Sequence, residues 1–174
     1  MRCIFLTKFL VGLALTMVLL WSANPAKAQI EPIELIQSKQ ALLADQRLVG
    51  NVSAQAKREG VIVNTPELFI YYSDFSPAYH LSGYRDTLSR ELGLIVDRHR
   101  IERSMVDLDR LLERAETPDG GTLEIDQLPD ADLYAVIYQQ PNCASCAQVR
   151  SALGGFLENM DLALSLIIIR LERP

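Results

Sequence analysis

Apolar positions fall into three patterns along the chain. An almost uninterrupted apolar run covers 9–21, behind the basic residues Arg2 and Lys8. Segments with helical spacing follow. Over 30–48, Ile33, Ile36, Leu42 and Leu43 lie among Gln, Lys and Asp, and Pro32 stands where a helix can start, so the spacing predicts a helix broken by Gly50-Asn51. A second short helix over 52–59 closes at Gly60. Tyr84, Leu88, Leu92 and Ile95 mark one face of a third, ending near Gly93. Met105, Leu108, Leu111, Leu112 and Ala115 mark a fourth, with Ser104 as its cap. The third pattern is the short continuous apolar run expected of a buried strand: 68–72, 133–138 and 162–171. A turn at 73–77 leads from the first of these into a run reaching 81–83. Thr117-Pro-Asp-Gly-Gly121 is a strong turn signal, and the alternation over 122–126 predicts an edge strand.

The last forty residues join these patterns in an order with chemical content. The run 133–138 is followed by a Pro-Asn turn, Cys143-Ala-Ser-Cys146, a helical segment with Val149, Leu153, Phe156, Leu157 and Met160, and the run 162–171. The pattern is strand, cysteine pair at a helix start, helix, strand. Free N–H groups and the positive end of the dipole at a helix N-terminus stabilise a thiolate, which suits Cys143 to attack. Cys146 is near enough to resolve a mixed disulfide. Within the helix, Gly154-Gly155 costs about 1 kcal/mol per glycine relative to alanine, so close packing, a kink or a shortened helix is expected there.

The start of the chain changes the setting of that chemistry. The basic start, the apolar run and the small-x-small site Ala26-Lys-Ala28 before Gln29 read as a signal peptide over 1–28. The run is short for a membrane span, and no cysteine stands just after it to take a lipid. The expectation is an exported protein, periplasmic or extracellular, whose mature part, 29–174, is one domain of 146 residues with no stable membrane insertion. Removing Arg2, Lys8 and Lys27 takes the formal charge from −5 to −8, which argues against nucleic acid as a partner. It also removes Cys3 and leaves Cys143 and Cys146, which tend to pair in an oxidising compartment. Such a short loop gives little entropic stabilisation, so a staple alone is a weak explanation for the pair. A metal site would need two more ligands, and His80 and His99 are too far apart for a zinc-finger pair. His80, beside an apolar turn, reads as structural or exposed, and 97–103 as a solvated charged face.

A proline between two apolar β runs, as in Gly60-Val-Ile-Val-Asn-Thr65-Pro66-Glu-Leu-Phe-Ile, must start a strand, lie at an edge or form a bulge. Together with Leu81-x-Gly83-Tyr84 and the helix after it, this stretch resembles the second half of the thioredoxin-like fold superfamily, and 131–171 resembles the first half. The resemblance implies an α/β fold, a central mixed sheet with flanking helices, with its halves in swapped order as in a circular permutation. It implies Cys143 as nucleophile, Cys146 as resolving cysteine, and a cis Thr65–Pro66 bond whose loop helps to bind an extended substrate. The departures are specific. Pro66 precedes Cys143 by 77 residues, Asn142 replaces the family's Trp, and Ala144-Ser145 replaces Gly-Pro.

The function expected is that of an exported thiol–disulfide oxidoreductase, exchanging with protein thiols or disulfides and calling for no cofactor or metal. The alternative is a non-catalytic exported assembly or binding protein on the same scaffold, with a structural disulfide. The sequence leaves oxidase, reductase and isomerase open, together with substrate and oligomeric state.

Overall fold

The computed structural model describes residues 31–38 and 65–171. In chain order the strands are β1 (Ile33–Gln37), β2 (Glu67–Tyr72), β3 (Pro77–Ser82), β4 (Ala115–Glu116), β5 (Leu133–Gln139) and β6 (Leu164–Arg170). The helices are α1 (Leu88–Arg98), α2 (Leu108–Leu112) and α3 (Ala144–Leu157), with a 3-10 turn at Ile125–Gln127. All six strands form one sheet in the order β3-β2-β5-β6-β1-β4. β5, β6 and β1 run parallel, while β2 lies antiparallel to β5 and β3 antiparallel to β2. The fold is α/β, a mixed central sheet with flanking helices, consistent with a thioredoxin-like arrangement.

The apolar runs form the middle of this sheet because both of their faces are covered. β2 is buried throughout, and β5 over its first six residues. Burial on both faces produces continuous apolar strands in place of alternating ones. On one face, Leu68, Ile70, Ala135, Ile137 and Ile168 pack with Leu88, Leu92 and Ile95 of α1 and with Val149, Leu153 and Phe156 of α3. On the other, Phe69, Tyr71, Val136, Tyr138, Ile167 and Leu35 pack with Leu108, Leu111 and Leu112 of α2. Buried phenols need partners. Tyr71 donates to the carbonyl of Val106 at 2.9 Å, and burial, with Tyr138 beside it, pushes its ionisation well above the ordinary range. Tyr72 shares its phenol proton between the carbonyls of Ile95, in the last turn of α1, and Arg100, past its end, and stacks on His99.

Several local expectations are corrected. The helix expected over 30–48 is, in its described part, the strand β1. Residues Ile33–Ile36 gain parallel pairing with β6 and a buried seat for Leu35, and this tertiary context outweighs local spacing. Residues 39–48, the helix expected over 52–59 and the apolar 61–63 lie outside the described residues, as does 1–28. The edge strand expected over 122–126 is a 3-10 turn instead, closed by a reciprocal capping box between Glu124 and Gln127. The short edge strand is β4, which takes Ala115 out of the preceding helix. Asp107, not Ser104, occupies the N-cap position of α2, and the Ser104 hydroxyl bonds Glu102. α1 continues past Gly93 to Arg98 and ends at His99 in the left-handed region. The turns at 73–77 and 117–121 form as expected, with Gly120 at φ 87°. An added Cβ at Gly154 or Gly155 would meet nothing within 4 Å, so close packing does not explain that pair. No helix among the described residues is long and apolar enough to cross a membrane.

Candidate functional site

β5 ends at Gln139, and a short loop carries the chain to α3. The loop is braced at its base. The Leu171 N–H donates to the carbonyl of Gln139 at 2.9 Å, and Arg150 of α3 donates to the Gln139 side chain at 2.6 Å. Asn142 turns the chain with φ 60°, in the left-handed region that Asn tolerates better than most residues. Cys143 then takes extended backbone angles as the N-cap of α3, and its Sγ accepts a hydrogen bond from the Cys146 N–H at 3.2 Å. Cys143 and Cys146 are joined as a disulfide, with Cα atoms 5.3 Å apart.

The two sulfurs differ in surroundings. Cys146 is 1% exposed and sits in the first turn of α3, whereas Cys143 is partly exposed at its mouth. An incoming group therefore reaches Cys143 first. A helix N-terminus offers unpaired N–H groups to a sulfur that gains negative charge. With two residues between the cysteines, closing the loop contributes on the order of 2 kcal/mol by chain entropy, the low end for a disulfide.

The Thr65–Pro66 bond is cis, as the resemblance implies. Pro66 is buried immediately before β2, where no ladder N–H is required, and its carbonyl accepts from the Gly83 N–H at 2.7 Å. Glu67 pairs with Tyr138 in the β2–β5 ladder. Since β2 begins where β5 ends, the Thr65–Pro66 segment and the Cys143–Cys146 pair emerge at the same edge of the sheet. The four residues singled out in the sequence thus occupy one end of the molecule despite their separation along the chain.

The site also holds groups that sequence reasoning passed over. Glu67, directly after Pro66, is only 6% exposed. Its Oε2 lies 2.5 Å from Nε2 of His80, and its Oε1 accepts from the Ser82 hydroxyl at 3.0 Å. His80 stacks on Phe69, with ring centroids 4.6 Å apart, and Phe69 meets Tyr138 edge-on. The available signal was a lone carboxylate opening a run that is otherwise apolar. Residues 97–103, read as a solvated face, are exposed apart from the partly buried Glu102.

Comparison of the chain with family models, with curated proteins and with solved structures finds no match, so the architecture and the disulfide stand on their own geometry.

Proposed function

We propose that this protein is a thioredoxin-like thiol–disulfide oxidoreductase that exchanges with protein disulfides through Cys143 and Cys146. The observation that carries this reading is the asymmetry of the pair: a partly exposed Cys143 capping α3, and a buried Cys146 behind it. The position of Pro66 on the same sheet edge supports a role for Thr65 and Pro66 in seating an extended partner. The strand order supports a thioredoxin scaffold whose halves are exchanged in sequence, with the cysteine strand following the Thr-Pro strand. Export rests on the signal-peptide pattern of 1–28.

In the dithiol form, the Cys143 thiolate attacks one sulfur of a partner disulfide. The partner's S–S bond breaks, one partner thiolate leaves, and a mixed disulfide forms. Cys146 then gives up its proton and attacks Sγ of Cys143. This re-forms the Cys143–Cys146 bond and expels the second partner thiolate. Two electrons pass to the partner, whose thiolates take up protons from solvent. The reverse sequence oxidises a partner dithiol. The reaction needs no cofactor.

Trapping tests the reading. Cys146→Ser should accumulate a mixed disulfide with a peptide disulfide, whereas Cys143→Ser should not. Equilibration of the wild-type protein with dithiothreitol should give a reduction potential above about −300 mV, outside the range of structural disulfides in secreted proteins. A lower potential without a trapped adduct would support the assembly or binding protein with a structural disulfide.

A further inference from the structure

Among the residues of β2 only Glu67 is neither apolar nor aromatic, and it is as buried as its neighbours. Desolvating a carboxyl group is costly, and a buried polar cluster commonly stabilises a fold no better than apolar side chains of equal volume. Stability of the sheet therefore does not account for it. Position does. Glu67 follows the Thr65–Pro66 bond and faces Tyr138, at the end of the strand that delivers the cysteines.

Both carboxyl oxygens are engaged by β3. His80 approaches Oε2, and the Ser82 hydroxyl bonds Oε1. The next residue, Gly83, donates its N–H to the carbonyl of Pro66. His80 is in turn fixed by stacking on Phe69, and Phe69 abuts Tyr138. The result is a continuous set of contacts from the Pro66 carbonyl through β3 and Glu67 to β5. It fixes the backbone before β2 relative to the strand that leads to the disulfide.

We propose that Glu67, held by His80 and Ser82, is a positioning residue that fixes the Thr65–Pro66 segment for docking an extended peptide beside Cys143. The proposal rests on the oxidoreductase reading and deepens it. Glu67 acts on the alignment of the partner and not on the sulfurs, so its removal affects peptide partners and spares small ones.

The test compares full-length mature wild type, Glu67→Leu and Glu67→Gln. Exchange rates are measured with a synthetic peptide disulfide and with dithiothreitol, alongside the reduction potential and thermal unfolding. Expected for Glu67→Leu is a folded protein with unchanged potential and dithiothreitol rate. Its peptide rate should fall about tenfold, a smaller loss than the roughly hundredfold that a 1 Å misplacement of reacting groups can cost. Glu67→Gln, which keeps the shape and an acceptor, should lose less. A wild-type peptide rate in Glu67→Leu would overturn the proposal. So would an equal loss with both reagents, which would place the effect on the sulfurs or on the fold. If Glu67→Leu fails to fold, Glu67→Gln decides: a selective peptide loss supports positioning, and a wild-type peptide rate overturns it. Wild-type protein inert toward both reagents would overturn the oxidoreductase reading, and this proposal with it.

Discussion

At the scale of single residues, Tyr79, Thr87 and Glu91 show how a few polar groups set a pH response. The Thr87 hydroxyl donates to Glu91 at 2.5 Å, and the Tyr79 phenol donates to the other carboxylate oxygen. The bond from Thr87, then that from Tyr79, holds the Glu91 carboxyl below its ordinary value of 4.5. A carboxyl depressed in the folded state stabilises the fold above its unfolded pKa, and the contribution disappears as pH falls through the folded value. Thermal unfolding followed from neutral to acid pH should show this. Glu91→Gln should be less stable at pH 7 by about 1 kcal/mol or less, since the site is solvent-screened. Its deficit relative to wild type should vanish at acid pH, and a deficit that persists there would mean packing, not charge. The Glu67–His80 contact shows what sequence leaves hidden at this scale. The two residues stand thirteen apart, on strands whose register is set partly by the irregularity between Ile70 and Tyr71. No local spacing rule brings them together.

At the scale of elements, α3 carries the disulfide at its start and two glycines near its end. Gly154 and Gly155 bring no close contact that a methyl group would disturb. Gly155→Ala should therefore stabilise the protein by about 0.5–1 kcal/mol, through helix propensity and a less flexible unfolded chain. Chemical denaturation checks it, and destabilisation would show that flexibility is required there. The legible elements were those with one strong period. β5, α3 and β6 follow from two apolar runs flanking a helical segment with the cysteines at its start. Pro66 takes one of the three places that its missing N–H allows, the start of a strand. β1 was not legible. Ile33-Glu-Leu-Ile-Gln37 is too short to separate a period of 2 from one of 3.6, and its main partner, β6, lies some 130 residues away. The turn at Ile125–Gln127 was hidden because alternating residues also supply a capping box.

At the scale of the whole molecule, β1 is tied to the rest by its position between β6 and β4 and by Leu35, with Ile33 packed against the same cluster. Leu35 is fully buried, with Phe69, Val136, Ile167 and Leu111 in the same cluster. Leu35→Ala should cost about 2–5 kcal/mol, the range for deleting a buried leucine side chain. Urea unfolding should show it as a lower midpoint with an unchanged slope. A loss below about 1 kcal/mol would mean that β1 is peripheral to the cooperative unit, because surface-like positions respond at that level.

The place of β1 also bears on when the sheet can close. Its parallel partner is β6, the last strand among the described residues, and β6 connects β1 to β5 in their hydrogen-bonded order. A chain made from its N-terminus therefore produces β1 long before the surface that receives it. β2 and β3 can pair as a hairpin early, but β1, apart from its two-residue contact with β4, must wait until β6 has been synthesised. Contacts across so much sequence form slowly, since most of the chain has to be ordered to make them. During that wait the apolar side of β1 has no sheet to cover it. A nascent chain stalled before residue 164 would carry the cysteine helix and the β2–β3 hairpin, yet lack the strand that joins β1 to them.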